Sequence, residues 1–178
     1  MMLVTTPGTT GSRYATPEDF CVIFNEDMNR LYLMALLLTG DQVRAEQCFS
    51  AALEDCRQRH DIFAEWGRSW SRRAIVKQAM RLTSVATDQR TAETAPAAMG
   101  ENDNVRHVLQ LPVFERFVFV MSVLEKYSLH ECAALLNCRV RDVETTRVRA
   151  LHLAASHALI AAHLGADRNQ TSMALKAS

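Results

Sequence analysis

The segment at residues 128–152 constrains the fold more than any other part of the chain. Ser128 is followed three positions later by Glu131, the spacing of a capping box in which each side chain hydrogen-bonds the other residue's backbone at a helix start. Asn137 tolerates the left-handed conformation that ends many helices. Apolar residues at helical spacing resume at Val140. The segment therefore predicts a short helix, a tight turn and a longer helix.

This order of elements is that of a helix-turn-helix, whose second helix enters the major groove of DNA. We expect the second helix to end near Gly165. Arg141, Thr145 and Arg149 recur every four residues, so they share one face that can contact base edges and phosphates. The candidate DNA-binding residues here are Arg139, Arg141, Glu144, Thr145 and Arg149. An ordinary helical hairpin with a solvated charged face is the alternative interpretation of the same pattern.

The composition changes upstream of this motif. Residues 83–104 are rich in Thr, Ala, Gln, Glu and Asn and lack apolar periodicity, which predicts a flexible linker. After the linker, Leu111-Pro112 opens an apolar segment. A strand competes with a helix at residues 117–120, and the proline, expected at the first helical position, favours the helix. The second unit is predicted over residues 105–165, followed by a flexible tail over 166–178.

The first half shows three helical patterns joined by short turns. Thr16-Pro17-Glu18-Asp19 supplies an N-cap, a proline and two acids, which predicts a helix over 17–38. A second helix is expected to start from Asp41, and a third to run from about Asp61 to Leu82. The fold class is therefore all-α, with a three-helix bundle over 16–82, a disordered N-terminus over 1–15 and a separate helix-turn-helix domain.

Charge and composition limit the function. Twenty basic and twenty acidic residues give a net charge of zero, so DNA binding must be local or assisted by a partner. No apolar run approaches the roughly 20 residues that span a bilayer, and no secretory signal is recognisable, so we expect a cytoplasmic protein without membrane association.

Catalytic and metal-binding patterns are absent from the sequence. The five cysteines form no CxxC pair, so they are expected to be buried, reduced thiols. His152, His157 and His163 lack the i, i+4 spacing of helical metal ligands. There is no P-loop, GxSxG or dinucleotide motif. We therefore expect no enzyme activity, no catalytic residues, no metal and no cofactor.

The second half contains a set of residues in a specific order: Leu111-Pro112, Glu115-Arg116, Glu131 with Ala133, Val143 and Arg149-Ala150. In these residues it resembles the promoter-recognition domain of extracytoplasmic-function sigma factors of the sigma-70 family. The resemblance implies a helix-turn-helix that reads promoter DNA. Family members usually carry basic residues at the positions that Glu144 and Thr146 occupy here, and an acid facing phosphate weakens DNA binding.

Residues 20–82 resemble the sigma domain that docks on RNA polymerase and opens the promoter. The matching residues are Leu31-Tyr32, Leu38-Thr39-Gly40-Asp41, Ala45-Glu46 and Trp70 with Arg72-Arg73. The resemblance implies that the polymerase-binding residues are Glu46, Gln47, Ser50 and Glu54. Gln47, Ser50 and Ala51 replace the acidic and glutamine residues usual in the family.

The third helix of the first half interleaves aromatic and basic residues. Such a combination can stack unpaired bases and follow a single-stranded backbone; the aromatic residues are Trp66 and Trp70, and the basic candidates are Arg68, Arg72, Arg73 and Lys77. The alternative is that both tryptophans belong to the core and the basic side chains are merely solvated.

These observations predict a sigma-like transcription initiation protein, a divergent or degenerate member of its family. RNA polymerase core and promoter DNA are the implied partners, and an anti-sigma or other regulatory protein is a further candidate. The alternative is a degenerate sigma-like protein-interaction module with little intrinsic DNA binding. Neutral charge, Glu144 and the changed polymerase-facing residues favour that alternative.

Overall fold

The chain folds into α-helices joined by short turns. The structure is a computed structural model that describes residues 13–87 and 103–156. The helices are α1 (Pro17–Glu26), α2 (Met28–Thr39), α3 (Gln42–Arg57), α4 (Gly67–Thr87), α5 (Asp103–Leu109), α6 (Val113–Phe119), α7 (Leu129–Leu136) and α8 (residues 140–156). A 3-10 turn, Ala64–Trp66, precedes α4, and a π-helical turn, Val120–Leu124, continues α6. The all-α prediction is confirmed.

The single helix predicted over 17–38 is wrong, because the chain breaks at Asp27. This residue has φ −97° and ψ 15° and ends α1, and its carboxylate pairs with Arg68 at 2.6 Å. Phe20 and Phe24 on α1 and Leu31 on α2 are all buried and remain at helical spacing across the break. Periodicity alone therefore could not reveal it.

Residues 13–15 pack against the chain just before α4. They are therefore ordered, which corrects part of the predicted disordered N-terminus. The Ala15 N–H donates to the Ile62 carbonyl at 2.7 Å. The Tyr14 ring stacks on Phe63 with centroids 4.8 Å apart. Residues 1–12, the rest of that prediction, lie outside the described part of the chain.

The third predicted helix begins later and ends later than expected. Residues 61–63 are not helical because they pair with the chain around Tyr14, and α4 starts at Gly67. Residues 83–87 of the predicted linker are helical, and Thr83 is buried and donates to the Ala79 carbonyl. Most of the linker lies outside the described residues, so that prediction remains untested.

The two halves contribute to one cluster of buried apolar side chains. Helix α2 packs on α3 and α4 and also on α5, α6 and the π-helical turn. The largest fully buried side chains come from both halves and include Phe20, Leu31, Leu38, Ile75, Val118, Val120, Met121 and Val143. Burial of such side chains is the main favourable contribution to folding, so it also holds the second half on α2.

The Arg116 side chain reaches from α6 across the interface to α2. It is buried and donates to the Leu38 carbonyl at the end of α2 and to the Leu109 carbonyl, each at 3.3 Å. Gly40 ends α2 with φ 73°, and a Cβ there would lie 2.9 Å from Arg116 Nη1. Glycine at this position therefore permits both the left-handed turn and the close approach of the guanidinium.

The helix predicted after Pro112 is confirmed, and the strand alternative at residues 117–120 is wrong. Pro112 is the N-cap of α6, with φ −54° and ψ 152°, and not its first helical residue as expected. Phe117 and Val118 are buried on α6. Because helical backbone satisfies its own hydrogen bonds, such an apolar segment can be buried without neighbouring strands.

The predicted start and end of α7 are confirmed. Ser128 Oγ accepts from the Glu131 N–H at 3.2 Å, and the Glu131 carboxylate accepts from the Ser128 N–H at 3.0 Å. Asn137 takes the left-handed conformation, with φ 52° and ψ 48°. Helix α8 follows after the expected short turn, and its predicted end near Gly165 lies outside the described residues.

Three of the five cysteines are buried, as expected. Burial raises the pKa of Cys48 and Cys56 to about 12 and that of Cys132 to about 11, which suppresses the reactive thiolate form. Cys138 is half-buried. For Cys21 the prediction is wrong, because this side chain is exposed on the outer side of α1.

Glu131→Ala is expected to lower the free energy of unfolding by about 1 kcal/mol at neutral pH, because it removes the capping box of α7. Hydrogen bonds from the Ser128 N–H and hydroxyl, with a smaller contribution from Arg73, lower the pKa of Glu131 below its ordinary value of 4.5. A carboxyl with a lowered pKa stabilises the fold above the unfolded-state pKa and loses that contribution as pH falls through the folded-state pKa. The difference between wild type and variant should therefore shrink below pH 4.5.

Denaturant unfolding at about pH 7 and about pH 3 measures this difference. Glu18→Ala is the matched control, because Glu18 is an exposed acid in the first turn of α1 and does not form its capping box. A Glu131→Ala effect that is the same at both pH values would contradict the proposed role of the carboxylate.

Candidate nucleic-acid interface

Helix α8 has a buried side and an exposed side. Val143 and Ala150 are fully buried, and Thr146 is 5% exposed. Thr146 stands where the sigma family usually has a basic residue, and here that position belongs to the core. A charged side chain at a buried position costs free energy unless it is paired, so a threonine suits this packing.

The candidate DNA-binding residues of α8 and its turn all lie on the exposed side, namely Arg139, Arg141, Glu144, Thr145 and Arg149. Thr145 Oγ1 donates to the Arg141 carbonyl at 2.9 Å, which leaves its oxygen free to accept. Exposed Arg147 lies on the same helix. The sequence pattern missed it because it does not share the four-residue repeat.

Two features weaken this face as a DNA-binding surface. The Arg149 guanidinium pairs with Glu115 of α6, whose side chain is 10% exposed. Val148 and Leu151 are 53% and 42% exposed on α8. Among the described residues, no carboxylate forms a salt bridge with Arg139, Arg141 or Arg147, so the positive charge of this region rests on these three.

The basic side chains of α4 contact other parts of this chain. Arg68 pairs with Glu26 and Asp27, and Arg73 pairs with Glu131 of α7 at 3.2 Å. The remaining two predicted residues also have partners: Arg72 lies 3.8 Å from Glu125, and the Lys77 ammonium lies 5.7 Å from the centre of the Trp70 ring. In this arrangement none of the four is an isolated solvated cation.

The tryptophans of this segment differ in exposure. Trp66 is 57% exposed, so the interpretation that both tryptophans are core residues is wrong. Trp70 is half-buried, and the Arg59 guanidinium lies 5.4 Å from its ring centre. Beside Trp70 a cleft of about 190 Å³ opens between α4 and α7; its lining residues are Trp70, Arg73, Ala74, Lys77 and Leu135.

Glu125 joins the two halves electrostatically. Its side chain is 9% exposed, and Oε2 lies 2.9 Å from Arg30 on α2 and 3.8 Å from Arg72 on α4. The Glu125 carboxylate raises the pKa of Arg30. Sequence analysis missed this group because Arg30 and Glu125 are 95 positions apart, a separation for which helical periodicity carries no signal.

The predicted polymerase-binding residues lie on the outer side of α3. Glu46, Gln47, Ser50 and Glu54 are all exposed. The side-chain hydrogen bonds of the two glutamates are local: Glu46 accepts from Gln42, and Glu54 accepts from two neighbouring residues on the same helix and its cap. This face is therefore open to a partner.

The described residues contain no group of three or more His, Cys, Asp or Glu side chains placed to hold a metal ion. His157 and His163 lie outside the described residues, so the arrangement of the three C-terminal histidines is untested. Within the same described ranges, no helix combines the length and apolar character needed to cross a membrane.

The chain matches no protein-family model and no curated protein sequence. Seven chains of solved structures are similar to it. One is the sigma factor RpoE in complex with the anti-sigma factor NepR from Bartonella quintana, with 15% sequence identity and a TM-score of 0.56. The match covers 80% of this chain and 98% of that chain. The similarity is one of fold, and it gives the chain a sigma-factor-like, all-helical architecture.

Proposed function

We propose that the chain is a sigma-like transcription regulator that binds RNA polymerase and promoter DNA. The observation that carries this proposal is the α7–turn–α8 unit, whose exposed side presents arginines in a chain with a sigma-factor-like fold. A short helix fixed by a capping box and a longer helix with basic side chains on its outer side are parts that a major-groove reader requires.

In this proposal different side chains of α8 contact different parts of duplex DNA. Arg141 and Thr145 face base edges, where a guanidinium and a hydroxyl can form specific hydrogen bonds. Arg139 lies just before the helix and contacts phosphate, as does Arg149 when it is released from Glu115. Glu144 opposes phosphate binding, so the affinity for duplex DNA is low without a partner.

The remaining predicted sites belong to the first half. Arg68, Arg72, Arg73 and Lys77 of α4 follow the melted promoter strand, with bases stacking on the neighbouring tryptophans. The exposed residues Glu46, Gln47, Ser50 and Glu54 contact RNA polymerase. The exposure of all four residues on α3 supports the second assignment.

A second candidate function is a protein-interaction module with little DNA binding of its own. The supporting observation is that α8 combines exposed Val148 and Leu151 with Glu144 and a neutralised Arg149, a mixture that suits a protein partner better than a phosphate backbone. The solved sigma factor of similar fold is in complex with an anti-sigma factor, so a regulatory protein is the partner we propose for this function.

Glu144→Lys is expected to strengthen binding to duplex DNA and to steepen its salt dependence by up to about two phosphate equivalents, because a repulsive carboxylate becomes an attractive ammonium. Arg141→Ala is expected to have the opposite effect. Salt titrations of fluorescence anisotropy on a duplex library measure both. Glu18→Lys is the matched control, since it makes the same charge change on exposed α1.

Equal curves for wild type, Glu144→Lys and Arg141→Ala, all at the non-specific level of about 10⁻⁴–10⁻⁶ M, would exclude groove binding by α8. An equal gain in affinity for duplex DNA from Glu18→Lys and Glu144→Lys would show that net charge, and not the position on α8, controls the binding.

Affinity purification of the full chain from its native host is expected to recover RNA polymerase core subunits. Reversal of two exposed acids of α3, Glu46→Lys with Glu54→Lys, should reduce that recovery, because an acidic surface facing a basic partner would become repulsive. Recovery of another protein and no polymerase subunit would contradict the leading proposal and support the protein-interaction module.

A further inference from the structure

We infer that the cleft between α4 and α7 is a binding site for a small organic anion, a carboxylate carried on a single ring or a short apolar chain. This inference goes beyond the proposed function and does not depend on binding to DNA or to RNA polymerase. Four residues of α4 and one of α7 line the cleft, namely Trp70, Arg73, Ala74, Lys77 and Leu135. Its walls combine apolar surface with cationic groups, and this combination defines the chemistry of the ligand.

Three of the five lining residues form apolar walls. Trp70 and Leu135 are half-buried, and Ala74 is 2% exposed. Sites for small molecules typically combine such walls with a few polar groups that fix the orientation of the ligand. Apolar atoms of a ligand that enter the cleft leave water, which favours binding.

Lys77 supplies the charge that attracts an anion. Its ammonium lies 5.7 Å from the centre of the Trp70 ring, and among the described residues no carboxylate lies within salt-bridge distance of it. An ammonium carries three N–H donors, and an aromatic ring accepts only weak hydrogen bonds. A ligand carboxylate therefore gives Lys77 a charge-assisted acceptor that the described part of the chain does not provide.

Arg73 supplies a second set of donors. Its Nη2 donates to Glu131 at 3.2 Å, whereas its Nε is buried without a hydrogen-bond acceptor among the described residues. The Arg73 side chain is 39% exposed, so a ligand can reach part of the guanidinium. One oxygen of a ligand carboxylate can accept from Arg73 while the other accepts from Lys77.

The size of the cleft limits the ligand. A volume of about 190 Å³ is that of about six water molecules in the liquid, whereas pockets for drug-sized molecules measure roughly 300–1,000 Å³. A single ring or a short chain with one carboxylate suits this volume, and a whole nucleotide exceeds it. The walls come from two helices, so a ligand contacts both and stabilises the packing of α7 on α4.

Titration of the full chain with benzoate tests the inference, with the indole N–H signal of Trp70 in NMR spectra as the readout. The chain contains two tryptophans, and Trp66→Phe assigns their signals. We expect a saturable shift of the Trp70 signal with a dissociation constant on the order of 1 mM. Acetate lacks the ring and benzamide lacks the charge, so each should bind at least about fivefold more weakly than benzoate.

Lys77→Met should weaken benzoate binding at least about fivefold, because it removes the ammonium and keeps an unbranched side chain. Arg81→Met is the matched control. It removes the same charge one turn farther along α4, at an exposed residue that does not line the cleft, and should change the dissociation constant by less than about twofold. Leu135→Phe narrows the cleft without a change of charge and should also weaken binding.

Circular dichroism shows whether the variants keep their helices, and Lys77 is an exposed residue whose replacement should leave them intact. The absence of a saturable Trp70 shift would overturn the site. So would equal affinities for benzoate in wild type, Lys77→Met and Arg81→Met, because they would show general attraction to a positive surface. Both results would leave the proposed function standing, since it is tested by binding to DNA and to RNA polymerase.

Discussion

The arrangement of the two halves depends on the hydrogen bonds that the Arg116 guanidinium donates. The last carbonyls of a helix have no partner within the helix, and at the end of α2 the Leu38 carbonyl accepts from Arg116 of α6. The left-handed turn at Gly40 ends α2 and leaves space for the guanidinium. This contact fixes the start of α6 on α2, and the apolar side chains of both helices form the rest of the interface.

The position of α6 determines where the charged residues of the second half lie. Helix α6 continues into the π-helical turn, and Glu125 and the capping box of α7 follow within a few residues. As a result, acids of the second half face arginines of α2 and α4, while the exposed side of α8 remains open. The same packing explains why the two predicted DNA-binding surfaces differ. The surface on α8 is accessible, whereas the basic side chains of α4 contact other parts of the chain.

Local signals in the sequence predicted the local structure well. The N-cap at Thr16, the capping box at Ser128, the Asp41 cap and the left-handed Asn137 depend only on residues within one helical turn. The break at Asp27 was not predictable in this way, because it preserves the apolar spacing. The ion pairs of Glu125 and of Arg149 were missed for a related reason, since they join residues far apart in the chain.

Native-state hydrogen exchange on the full chain tests most directly the claim that the halves are packed as one unit through Arg116. Amides at the end of α2, around Leu38, and those of α6, around Val118, should open with the same free energy and the same denaturant dependence. Arg116→Met, which removes the donor to the Leu38 carbonyl, should lower the opening free energies of both helices together. Exchange of α6 through a separate, lower-energy opening that leaves α2 protected would contradict the account.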